Sequence, residues 1–430
     1  MKSTIFLTLI SLWLLGACTP LAQYQGNAGA ATKVLRNIDY AYEPQIKTVV
    51  VRPAYGDPQA FLEPAVTRLG QWNLMLEFDD LHTARDNYYI RLVHCNRDWT
   101  KSDLQDLDFM TDFNELPINN AEFSVDTYIP YVHYWINLPA VKLPGNYLVV
   151  AYRGGDKNDI ILSKRFMVYD TRVSFENERN LIGAGNIASL NQQINFTLSY
   201  KNLDIINPLE SVNVAIRQNQ RWDNIATDIK PSFVREIEKQ LEYRFFDETK
   251  MFKGGNEFRF FDIRSLNSPG RNIASVNKMT KPVDVFVARD KSRAGEAYSQ
   301  YVDYNGGFIP ANLDYNSESF NNYANINFTL ASKSLPGDVY VTGKFSQWNL
   351  DEQNKMTFDS AHQEYQATVL LKQGWYDYQY VVKSKTLPPY YLEGSHFETE
   401  NSYEIFVYYK AFQPRADLLI GYIRLEKNER

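Results

Sequence analysis

His94 and Cys95 are side-chain types that act together as base and nucleophile in acyl transfer. They follow Tyr88-Tyr89-Ile90-Arg91-Leu92-Val93, a run whose β-branched and aromatic content predicts a strand. Neighbouring side chains on a strand point to opposite faces, so the two cannot form a dyad, and Cys95 is expected to be a small packing residue. The five histidines, His82, His94, His133, His362 and His396, stand far apart with no metal-ligand spacing. Asp79-Asp80 and the group Asp103, Asp106, Asp108 and Asp112 offer oxygen ligands for calcium, but they lack the glycine and ligand spacing of a calcium loop and read as solvated. Gly183-Ala184-Gly185-Asn186-Ile187-Ala188 matches a dinucleotide fingerprint in letters only. No apolar strand precedes it and no helix is expected after it, so it reads as a glycine turn. The expectation is a chain with no catalytic residue, no metal and no cofactor.

The elements that must carry these residues are strands. Leu74, Leu76 and Phe78 alternate with Asn73, Met75 and Glu77, and Tyr147-Leu148-Val149-Val150-Ala151-Tyr152 is followed by the turn residues Gly154-Gly155-Asp156. Similar runs recur at 195–200, 212–216, 257–263, 283–287, 326–330, 339–342, 376–381 and 403–408. Short strands with turn residues between them predict tandem β-sandwiches of immunoglobulin-like type, an all-β fold. The segment Arg235–Phe246 fits both periods, since Ile237, Leu241 and Phe245 suit a helix while Leu241, Tyr243 and Phe245 suit a strand. Its aromatic content favours the strand.

The N-terminus predicts export. Lys2 precedes a short apolar stretch, Ile5–Leu15, too short to span a bilayer, and Leu15-Gly16-Ala17-Cys18 forms a lipobox. Residues 1–17 are therefore expected to be a lipoprotein signal peptide, with lipid on Cys18. No acidic residue stands beside Cys18, the first being Asp39, which points to the periplasmic face of the outer membrane. Residues 18–40 read as a tether. The rest divides into expected sandwich domains at 41–170, 171–317 and 318–430, in line with roughly 100–200 residues per domain. A net charge of −6 argues against nucleic acid as partner. With Cys18 lipidated, Cys95 has no second cysteine to pair with. The 30 tyrosines suit both sheets and protein interfaces.

Two resemblances sharpen this reading. Val341-Thr342-Gly343-Lys344-Phe345-Ser346-Gln347-Trp348-Asn349, with Met356 and Gly374-Trp375-Tyr376-Asp377-Tyr378-Gln379-Tyr380, resembles glycogen-binding modules of early-set immunoglobulin-like fold. That resemblance implies a sugar-stacking role for Trp348. Gln379 stands where those modules carry a lysine, and the second stacking tryptophan is missing near Ser384–Thr386. Over the longer span 45–425 the chain resembles the type IX secretion system plug proteins of Bacteroidota. The segments that carry this include Tyr88–Trp99, Phe113–Ile118, Tyr128–Tyr134, Leu143–Tyr147, Gly254–Asp262 and Tyr304–Phe308. It implies a non-catalytic periplasmic protein that closes the inner opening of the outer-membrane translocon barrel. The alternative is a glycan-binding outer-membrane lipoprotein. The sequence does not indicate which residues touch a partner.

Overall fold

The structure is a computed structural model that describes residues 33–177, 190–245, 251–268, 270–315, 317–410 and 412–427. Cys18, the expected signal peptide at 1–17 and the glycine segment 183–188 lie outside them.

The N-terminal sandwich pairs two sheets. One runs Tyr40–Ala41, Ile160–Tyr169, Gly145–Arg153, Tyr88–Cys95 and Leu116–Pro117, with Val66–Arg68 parallel to Ile160–Tyr169. The other runs Ile46–Pro53, Leu74–Asp80, Val132–Asn137 and Asn120–Phe123. Leu76, Phe78, Ile90, Leu92, Tyr134 and Val149 fill the space between them. Each such side chain contributes about 1.5–3 kcal/mol by leaving water. The strand Gly145–Arg153 is buried on both faces. Tyr147, Val149 and Ala151 face the sandwich core, while Leu148 and Val150 join Val93, Cys95 and Met167 in a second apolar layer. This is why Tyr147–Tyr152 reads as an unbroken apolar run and not as an alternation.

The second layer is closed by another sheet. Ala215, Phe406, Tyr408 and Leu419 pack on Leu148 and Val150. They belong to a sheet ordered Ile225–Ile229, Val212–Gln218, Asn401–Lys410 and Asp417–Lys427. The inward faces of those strands, including Val214, Ile216, Ile405 and Val407, meet a fourth sheet of Ser174–Asn177, Phe196–Ser199, Gln240–Tyr243 and Phe233–Arg235. Four sheets therefore stack face to face through three apolar layers. In the ambiguous segment 235–246, Gln240–Tyr243 forms strand as expected and pairs with Phe233–Arg235, with Leu241 and Tyr243 buried and Ile237 exposed at the turn between; Phe246 lies outside the described residues.

A further sheet of ten strands curls around its own core of Phe261, Val285, Ile326, Phe328, Val341, Tyr376 and Tyr380. Its strands include Arg259–Asp262, Ile273–Asn277 and Val283–Val287 as well as Tyr323–Ala331 and Gly374–Lys383. The strands thus group differently from the sequential division expected at 317/318. Arg259–Asp262 pairs with Gly374–Lys383 across that point, and Val212–Gln218 pairs with Asn401–Lys410 across the whole intervening unit. By shared core, a sandwich spanning about 258–393 is inserted between strands of the middle one. The all-β, multi-sandwich expectation stands. Among the described residues no helix is long and apolar enough to cross a membrane.

Candidate functional site at the junction of the sandwiches

The residues with chemical potential are dispersed. His94 and Cys95 face opposite layers: His94 lies against Phe109 and Tyr147, with Nδ1 2.9 Å from Ser102 Oγ, whereas Cys95 sits in the inter-sandwich layer. Burial lowers the His94 imidazole to about 4 and raises the Cys95 thiol to about 12, so neither is poised for proton transfer or attack at neutral pH. Asp79 and Asp80 diverge. Asp80 meets His82 and Tyr88, and Asp79 turns to the inserted sandwich. Among the acids near the short helix Asp106–Phe109, Asp108 accepts from Gln105 N at its start. His362 pairs with Asp359 at the surface. Among the described residues no three His, Cys, Asp or Glu side chains group as a metal site.

What the fold does bring together is a set of buried polar links between sandwiches. At the first, Asp79 Oδ2 accepts from Lys372 Nζ at 2.7 Å and from Tyr323 Oη at 2.6 Å, and Asp79 Oδ1 lies 2.7 Å from His133 Nδ1. Lys372 also lies 4.4 Å from the centre of the Tyr131 ring. Burial alone would raise the Asp79 carboxyl, but the Lys372 ammonium, with His133, outweighs it and holds the group at about 2. At the second link, Tyr408 Oη donates to Asn146 Oδ1 at 3.0 Å, and Arg97 N donates to Asp417 Oδ2 at 3.1 Å.

The third link surrounds Trp348. Gln347 and Trp348 both take left-handed backbone (φ 54° and 60°), which swings the indole back beneath the turn that begins at Gly343. The ring is buried at 8% exposure, 5.8 Å centre to centre from Phe258, with the Arg221 guanidinium 4.4 Å over it. A Cβ at Gly306 would collide with it, so the turn Asn305-Gly306 needs glycine there both for space and for its φ of 80°. The segments 254–262 and 304–308 therefore converge on Trp348. Two carboxylates fix their course. Asp303 accepts from Phe258 N and Asn305 N, and Asp377 accepts from Tyr304 N and Trp375 Nε1. Burial raises both, and Asp303 is pushed further by Asp377, whose own carboxyl rises to about 7. Their oxygens are taken up by these donors, so the pair serves the turn and not a substrate. Sequence reading missed it, since Asp303 and Asp377 are 74 positions apart on separate strands and loops.

The sugar-stacking position thus lies inside the junction, with Arg221 and Phe258 against the ring. Gln379 pairs within the sheet opposite Thr342. Ser384–Thr386 forms a turn in which Thr386 N donates to Ser384 Oγ at 3.1 Å. Beside Trp348 a cavity of about 480 Å³ opens between all three sandwiches, walled by Leu62 and Glu63, by Gln220 and Arg424, and by Tyr304 and Lys344.

A stack of sheets locked by buried ion pairs and hydrogen bonds defines this part of the chain as a multi-sandwich β body. Residues 46–170 match the family model described as Type 9 secretion system plug protein 1st domain, and the chain carries this domain of the type IX secretion plug family. That is not a family of known enzymes. The chain is also similar to a hypothetical protein from Parabacteroides merdae ATCC 43184 known from a crystal structure. The two are 29% identical, with a TM-score of 0.85 over 92% of this chain and 100% of that one. No curated protein matches the chain.

Proposed function

We propose that the protein is a non-catalytic plug that binds and closes the periplasmic opening of the outer-membrane type IX translocon barrel. The match of residues 46–170 to the plug family's first domain carries this reading. The physics of the body supports it. A stopper must resist deformation when loaded from one side, and four sheets joined through continuous apolar layers bend little. Lipid on Cys18 holds the body at the inner face of the outer membrane and raises its local concentration at the barrel. The closed setting of Trp348 takes support from the glycan-binding alternative, because a sugar ring needs an open aromatic face.

Affinity purification of the C-terminally tagged chain from detergent-solubilised envelopes tests the partner. The outer-membrane secretion barrel should co-purify in near-stoichiometric amount. Recovery of the chain with no outer-membrane barrel protein, from envelopes that contain the barrel, would overturn the assignment.

A further inference from the structure

A second, smaller cavity of about 50 Å³ lies behind the first and shares Gln220, Lys344 and Trp348 with it. One side is apolar: Val49, Val50, Val51, Ala65, Met167 and Phe308. The other side carries Lys164, Arg165, Arg217 and Lys344, with Asp39 as the one carboxylate in its wall. Asp39 is shared by Lys164 at 3.2 Å and Arg165 at 3.3 Å. Arg217 is held from behind by Glu404 at 2.7 Å, and both Arg165 and Arg217 stack on Trp222. Lys344 Nζ donates to the carbonyl of Phe61 at 2.7 Å and to Gln220 Oε1 at 3.1 Å, both neutral acceptors. Among the described residues no carboxylate pairs with it. The nearby Arg424 is already bound by Glu63 and Glu426.

Four cations here thus share two carboxylates, Asp39 and Glu404, and Lys344 pairs with neither, in a place where uncompensated charge is costly. The same imbalance acts on Lys344 itself: burial, then Lys164 and Arg217, bring its ammonium down to about 7 against the opposing pull of Glu404. The geometry points to a buried binding site for a weakly hydrated monovalent anion, of the halide class, between Lys164, Arg165, Arg217 and Lys344. The size and chemistry of the cavity select that class. Its volume holds a few water-sized probes, where one water needs about 10–15 Å³ on this measure. The apolar wall penalises strongly hydrated divalent anions such as sulfate. The anion completes the junction of the N-terminal, middle and inserted sandwiches, since Lys164 and Arg165, Arg217, and Lys344 come from one each.

Bromide is the probe. The thermal midpoint of the full mature chain is measured in sodium bromide and in sodium gluconate at matched ionic strength. Bromide should raise it by a few degrees and saturate, as binding to the folded state alone requires. Gluconate, too large for the cavity, should not. Lys344→Met should abolish the bromide response. Crystals grown in bromide should show an anomalous peak between Lys164 and Lys344, a readout that does not depend on the variant folding. Equal midpoints in the two salts, a full bromide response in Lys344→Met, or a bromide peak without any saturable effect in solution would each overturn the site.

Discussion

Asp79 shows how one side chain joins two sandwiches. It is fully buried, and its partners Lys372 and Tyr323 lie 293 and 244 positions away in the sequence. Asp79→Asn leaves the Lys372 ammonium buried without its counter-charge, which costs about 3–5 kcal/mol. Denaturant unfolding of the variant should show that loss, and Asp79→Leu with Lys372→Met should recover most of it. The pH dependence has a fixed sign. The folded carboxyl is held at about 2, below its ordinary value of 3.8, so its contribution is complete above that ordinary value. It should disappear as pH falls from about 4 through about 2, so Asp79→Asn should show a smaller acid loss over that window, Asp39, held at about 2 as well, accounting for part of the remainder. Asp79-Asp80 read as solvated, yet both lie buried at the end of the strand Leu74–Asp80; local sequence could not name Lys372, because charge pairing between distant strands leaves no local pattern. His94 and Cys95 were legible, since the two-residue period of a strand alone separates their faces.

At the level of elements, strand identity was readable and strand partnership was not. The aromatic and β-branched runs marked the strands, and in the segment 235–246 Leu241 and Tyr243 share a buried face as the strand period requires. The division at 317/318 followed chain order, whereas Val212–Gln218 finds its neighbour in Asn401–Lys410 after the whole inserted sandwich. Hydrophobic period says which face of a strand is buried and nothing about which strand lies beside it. The unbroken apolar runs Tyr147–Tyr152 and Ile405–Tyr408 held a usable clue, because burial on both faces implies a further sheet stacked outside the sandwich. A fragment of residues 171–255 lacks the two C-terminal strands that complete its core. Expressed alone it should be unfolded by circular dichroism and by amide dispersion in NMR. Joining it to 399–427 by a short linker in place of 256–398 should restore the sandwich. A folded 171–255 fragment would refute the nested arrangement.

For the whole molecule, the body that emerges is a block whose sandwiches share apolar layers, ion pairs and cavities. Such a block can act by standing in the way. On the plug reading its effect depends on occupancy of the barrel mouth and is lost when the block is absent. Removing it should leave the secretion barrel assembled but open. The most direct measurement is the sensitivity of a deletion strain to vancomycin, an antibiotic too large for ordinary porins, against its parent and a complemented strain. The plug account predicts that deletion sensitises the cells several-fold and that the wild-type chain restores exclusion. A deletion strain with its barrel still present that excludes vancomycin as well as the parent would contradict it.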